Sequence, residues 1–166
     1  MASETTYHVD GSCDMSVISS IDTMYVLDDG YLLPANCQDA YCRQCKSLES
    51  VEHIPSIESV QDAFTEEDRN TLLKTNFEAS WYKSALQRKR RLEWRLNRTA
   101  SARCLICGGS DFFVVGLDRE MVDPISGKRF VWKDCVFFDS SVSLEIRLRP
   151  DGTVLTTWKP TFGRRN

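Results

Sequence analysis

Two Cys-x-x-Cys pairs, Cys42/Cys45 and Cys104/Cys107, constrain this chain more than any other feature of its sequence. Two intervening residues let a tight turn aim both sulfurs at one ion, and two such turns complete a tetrahedral shell with metal–sulfur distances of about 2.3 Å. A fold that uses both pairs must bring together segments separated by 58 residues. In Cys104-Leu105-Ile106-Cys107-Gly108-Gly109 the glycines strengthen the reading. A glycine after the second cysteine accepts positive φ and lets backbone N–H groups approach the sulfurs. The first pair is less regular, because Cys37 lies just upstream and Lys46 follows Cys45 where the second knuckle has glycine. Cys42 and Cys45 keep the knuckle spacing, which leaves Cys37 as a reserve ligand and His53 as a weaker one. The expected cofactor is one structural zinc ion.

Other uses of four cysteines are weaker. A redox-active pair opens a helix after a strand and often has a Gly-Pro centre, which neither Arg43-Gln44 nor Leu105-Ile106 resembles. An iron–sulfur cluster also takes four cysteines, and spacing alone does not distinguish it from zinc. Cys13 and Cys135 read as ordinary thiols, with Cys135 a core residue amid Val131, Trp132, Val136 and Phe137.

Seven cysteines without an apparent export signal point to a reducing compartment, so the expected location is cytoplasmic. The start, Met1 to Asp14, has neither a basic n-region nor an apolar run of signal-peptide length, and no stretch is apolar enough to span a bilayer. A net charge of −3 gives the whole molecule no general attraction for phosphate backbones or anionic membranes.

The pattern along the chain predicts an α+β fold. Residues 1–20, rich in Ser, Thr, Asp and Glu, read as a weakly ordered N-terminal segment, and 21–166 as a single zinc-stabilised domain. Thr23–Leu27 and Tyr31–Leu33 flank Asp28-Asp29-Gly30 as a hairpin. Ser56 is a candidate helix cap, and Thr65 with Asp68 resembles a capping box. Leu73, Phe77, Trp81 and Ala85, then Leu92 and Leu96, recur at helical spacing through a run free of Gly and Pro, which fits one long helix or two stacked ones. The helical segment, about 56–103, is thus expected as a central insertion between two zinc knuckles. Strands at Phe112–Leu117, Phe130–Phe138, Val142–Arg149 and Val154–Trp158 complete a small antiparallel sheet, the last two joined across Pro150-Asp151-Gly152.

Catalytic constellations are absent from the sequence. His8 and His53 are the only histidines, and no nucleophile elbow, phosphate loop or His-Glu-x-x-His occurs. Asp118, Glu120 and Asp123 read as a solvated loop. The chain is therefore expected not to be an enzyme. Its most visible surface feature is a basic run with aromatic neighbours, in which Arg88, Arg91, Arg95 and Arg98 share a helix face near Trp81 and Trp94. Arginines beside aromatics suit a protein interface, and the acidic balance of the whole suits a basic partner. The same stripe offers an alternative, nucleic-acid binding through phosphates and base stacking.

The string Trp94-Arg95, Arg98 and Arg103-Cys104-Leu105-Ile106-Cys107-Gly108 resembles a pattern in small bacterial proteins with paired cysteine knuckles. Some small proteins of that kind are encoded as immunity proteins beside secreted toxins. The resemblance implies that Cys42, Cys45, Cys104 and Cys107 hold the metal and that the partner is another protein, a cognate toxin in the sharpest version.

Overall fold

The computed structural model describes residues 2–19, 21–74, 77–116, 118–138 and 144–158. Leu117 and residues 142–143, expected at strand ends, lie outside them. Among the described residues, eleven strands and three helices follow one another as β1 (Ala2–Val9), β2 (Cys13–Ser19), β3 (Ile21–Val26), β4 (Leu32–Pro34), β5 (Asn36–Cys42) and β6 (Ser47–His53), then α1 (Ile57–Ala63), α2 (Glu66–Leu72) and α3 (Ser80–Asn97), then β7 (Phe112–Val114), β8 (Glu120–Val122), β9 (Arg129–Phe138), β10 (Leu144–Leu148) and β11 (Val154–Trp158).

The expected α+β architecture is corrected by this order. With 64 of the described residues in strands and 32 in helices, the molecule is mostly β, and its helices are not a central layer between the knuckles. Instead of one C-terminal antiparallel sheet, three sheets run β2-β1-β9-β8, β11-β10-β3-β4 and β6-β5-β7. The C-terminal strands separate: β9 pairs with β1, whereas β10 lies parallel to β3.

The N-terminal segment is where the sequence misled most. Its polar composition conceals a period of two, with Tyr7, Val9 and Val17 turned inward and buried while Thr6, His8 and Ser16 face outward. A half-buried strand has low mean hydropathy yet a buried face, here largely apolar with Thr5 included. β1 pairs along its length with β2 and with β9, so residues 2–19 are part of the framework.

Local signals were more dependable. Gly30 adopts φ 81° in the β3–β4 turn, Ser56 Oγ accepts the Ser59 N–H to cap α1, and Thr65 and Asp68 form a reciprocal capping box on α2. The helical run is divided into α2 and α3 rather than continuous. No helix among the described residues is long and apolar enough to cross a membrane.

Three core clusters surround the β5–β6 hairpin. Alternation along β5 and β6 turns Tyr41 and Leu48 toward Tyr7, Val9, Val17 and Phe130 of the first sheet. Ala40, Cys42 and Val51 pack on the opposite face with Cys104. Tyr25, Leu33, Ile146 and Leu148 form a third cluster with Trp94 of α3 and Leu105.

Candidate metal centre

The first knuckle is the turn of the β5–β6 hairpin, whose register runs from Asn36↔His53 to Cys42↔Ser47. Cys42 ends β5. The Cys45 N–H approaches Cys42 Sγ at 3.4 Å, and the Lys46 N–H donates to the Cys42 carbonyl at 2.8 Å. In the second knuckle the Gly108 N–H donates to the Cys104 carbonyl at 2.9 Å, and Cys104 N–H to the Gly109 carbonyl at 2.8 Å. The two turns are the same device. Lys46 adopts φ 59° where Gly108 adopts φ 73°, so the lysine fills the left-handed position that the sequence assigns to glycine. For an L-residue this costs about 1–2 kcal/mol.

Backbone pairing brings the two knuckles together. The Glu52 N–H donates to the Arg103 carbonyl at 2.9 Å, and the Leu105 N–H to the Ser50 carbonyl at 3.1 Å, placing residues 103–105 along the free edge of β6. On the other edge, β7 pairs with β5 through Cys42↔Phe112, and the Arg43 N–H donates to the Asp111 carbonyl at 3.1 Å. The arms of the second knuckle thus grip both edges of the first hairpin, which aims the tips at each other. In chain order α1, α2 and α3 come between these two segments.

The four Sγ atoms of Cys42, Cys45, Cys104 and Cys107 lie within 4.8 Å of one another. Cys42 and Cys107 are 3.5 Å apart, and Cys45 and Cys104 3.9 Å. A tetrahedral thiolate shell requires about 3.8 Å between sulfurs, so the cluster has the size for one ion. The cysteines are unpaired, and the distances exceed the ~2.05 Å of a disulfide. Burial, followed by the neighbouring thiols, raises the Cys45 thiol well above its ordinary value, and burial first among several causes pushes Cys104 up to about 11. Cys107 shifts down: burial opposes its ionisation, but the Gly109 N–H and the surrounding thiols outweigh it. A divalent cation held among the four sulfurs would allow all four to ionise together.

The side chains between the first two ligands brace the site. Arg43 makes a bidentate contact with the fully buried Asp123, at 2.9 Å through Nε, and also reaches Asp111. Ser126 Oγ and the Ile125 N–H complete the shell of Asp123. Its carboxyl is held far below the usual range, by the Arg43 hydrogen bonds above all and against the effect of burial. Asp123 is therefore not part of a solvated loop; it ties the β8–β9 turn to the metal hairpin. Glu120 pairs with Arg129 and Asp118 is exposed. The Gln44 carboxamide lies against Gly109, where a Cβ would come within 2.5 Å of its Oε1.

Neither reserve ligand joins the cluster, and strand geometry gives the reason. Cys37 and Cys42 are separated by an odd number of positions in β5, which puts them on opposite faces. Cys37 packs in the Tyr25 cluster, where burial raises its thiol. His53 pairs with Asn36 at the far end of the hairpin, about 20 Å of strand from the turn, and Nδ1 bonds to Gln38 Oε1. Cys135 is half-buried and accepts a long contact from Thr5 Oγ1, and Cys13 is exposed.

The arginine face of α3 points into the protein. Arg88 holds Asp68 of α2 through Nε at 2.8 Å, Arg91 donates to the Pro34 carbonyl at 2.8 Å, and Arg95 donates to the Pro55 carbonyl at 2.7 Å. Trp94 is buried on Tyr25 with ring centroids 4.5 Å apart, and its Nε1 donates to the Pro150 carbonyl. Trp81 remains exposed, as do Leu73, Phe77 and Leu96 of the expected apolar stripe; of that stripe only Ala85 is fully buried. The 3–4 spacing identified one helix face correctly, but guanidinium groups rather than aliphatic chains dock it, because what it meets is largely backbone carbonyls.

Arg98 anchors a network that the sequence did not announce. Its guanidinium is 1 % exposed and donates to Glu52 at 2.9 Å, with further bonds to the carbonyls of Ala100, Ser101 and Pro150. Glu52, 0 % exposed, also accepts the Tyr25 hydroxyl at 2.7 Å and the Arg103 N–H at 2.8 Å. One carboxylate thereby joins β6, β3, the end of α3 and the strand-like arm leading to Cys104. Gly152 closes over it with φ 84°, and a Cβ there would collide with both side chains. Nothing in the local string Val51-Glu52-His53 distinguishes this glutamate from a surface residue.

Comparison of the chain with protein-family models, curated proteins and solved structures finds no match.

Proposed function

We propose that the chain is a zinc-stabilised, non-enzymatic protein-binding module, in its sharpest form an immunity protein that neutralises a toxin by binding it. The observation that carries this reading is the four-cysteine cluster closed between two backbone-braced turns. Four thiolates fill a tetrahedral shell and leave no open position for a substrate, which suits an ion that holds the chain together. Zinc suits the donor set and its compactness. A polynuclear iron–sulfur cluster interposes its own sulfides and spreads its thiolates wider than one ion does.

The basic stripe supports no second reading. Arg88, Arg91, Arg95 and Arg98 already donate to Asp68, Pro34, Pro55 and Glu52, so offering them to a phosphate track would undo the docking of α3. Native mass spectrometry of the protein purified from its own host without chelators tests the proposal. The expected spectrum has a mass excess of one zinc and a one-to-one complex with a second protein. A metal-free mass with intact thiols, or a zinc-loaded chain that retains no partner, argues against the first or the second half of the reading respectively.

A further inference from the structure

The helical layer carries an exposed apolar surface that the protein itself does not cover. Leu73 is 82 % exposed, Phe77 60 % and Trp81 45 %, Leu73 just after α2 and the two aromatics just before and at the start of α3. Phe77 and Trp81 meet across Tyr82, edge-on at 5.1 Å and 6.4 Å between ring centroids, so the three rings are contiguous. Single exposed apolar residues are ordinary on a protein, whereas contiguous exposed ones mark contact surfaces when the patch is large.

Two further observations describe that partner. Beside Trp81, between α2 and α3, lies a cavity of about 480 Å³ walled by Thr65, Glu67, Thr71 and Ser84, with the Asp68–Arg88 pair also lining it. Among the described residues neither Glu67 nor the nearby Asp62 has an ion-pair partner. From Ser56 to Arg88, the last residue lining the cavity, the chain carries six acidic residues and four basic ones. The cavity thus offers a carboxylate with no direct ion pair, facing an arginine already held by Asp68, together with hydroxyl acceptors and the face of an indole. The ring already attracts a cation, since Lys74 Nζ lies 5.7 Å from its centroid. A second copy of this chain would bring the same negative surface against itself, so like charge disfavours it.

We propose that this surface docks a basic, amphipathic segment of a protein partner, with one arginine or lysine side chain entering the cavity between Trp81 and Glu67 and apolar side chains covering Phe77 and Leu73. The inference rests on the protein-binding reading and names the site and the partner's chemistry.

The test titrates the zinc-loaded full chain into two labelled synthetic peptides, an amphipathic one of leucine and arginine and the same peptide with every arginine replaced by glutamate. Fluorescence anisotropy should show binding of the basic peptide alone. Trp81→Ala and Glu67→Lys should each weaken it about tenfold or more, the size expected of an interface hot spot. Asp134→Lys makes the same charge change as Glu67→Lys at an exposed position on β9 and should have little effect. Melting curves of the variants confirm that each is folded. Equal loss from Glu67→Lys and Asp134→Lys would reduce the binding to bulk charge and overturn the proposal. So would binding of the acidic peptide, or a homodimer that Trp81→Ala disperses. Applied to a complex captured from the host, the same variants separate the two readings. A partner still bound after Trp81→Ala and Glu67→Lys sinks this surface and leaves the protein-binding module standing.

Discussion

Replacing Glu52 by alanine should be among the most damaging single substitutions outside the cysteines. The carboxylate is fully buried and accepts three donors, from Tyr25, Arg98 and the Arg103 backbone. Truncation leaves all three without that acceptor and strands a guanidinium that is itself 1 % exposed. Breaking a buried ion pair from one side costs about 3–5 kcal/mol, most of it the burial of an uncompensated charge. For a chain of this size each kcal/mol moves Tm by roughly 2–4 °C, so the expected fall is roughly 6–20 °C. Circular-dichroism melts at fixed, saturating zinc measure it, with metal held constant because binding adds to apparent stability. Arg98→Met should be costly as well, but Glu52→Ala with Arg98→Met should cost clearly less than the sum, since the double variant buries no unpaired charge. If Glu52→Ala lowers Tm by under about 2 °C, or if the two substitutions add, the pair does not connect these elements as argued.

The metal turns and the acidic pairs give three more outcomes. Cys104→Ser should yield aggregated or protease-sensitive protein, because a structural ion contributes folding free energy directly; a monomeric variant with unchanged Tm by gel filtration and calorimetry would refute a structural role. Lys46→Gly should stabilise the protein by about 0.5–1 kcal/mol, the relief of left-handed strain less the extra entropy of an unfolded glycine. A lower Tm would mean that the lysine side chain contributes more than its backbone costs. Asp68 is held below the usual carboxylate range, first by its hydrogen bond to Arg88. Since the folded pKa is the lower one, the stabilisation is fully present above the unfolded value near pH 4 and is lost as pH falls through the folded value. The stability difference between the native chain and Asp68→Asn should therefore stay constant from about pH 5 to 8 and shrink only below about pH 4. Shrinkage beginning near neutrality would assign it to another group.

What the sequence determined by itself was local. Cys42, Cys45, Cys104 and Cys107 were legible because a two-residue spacing is the geometry of a turn that aims two sulfurs at one point, whatever fold surrounds it. Ser56, the Thr65–Asp68 capping box and the turns at Gly30 and Gly152 were legible for the same reason, each being satisfied by neighbours within a few positions. The tertiary structure alone decided the rest. Residues 2–19 became framework only because β9 arrives from more than a hundred residues away to pair with β1, and no local property encodes that partner. The arginines of α3 turned inward because the surface they meet presents carbonyls and carboxylates, which the periodicity of the helix cannot reveal. Glu52 and Asp123 read as ordinary surface acids, yet each is fully buried against an arginine distant in sequence. A buried charge is defined by the partner that compensates it, and that partner is supplied only by the assembled fold.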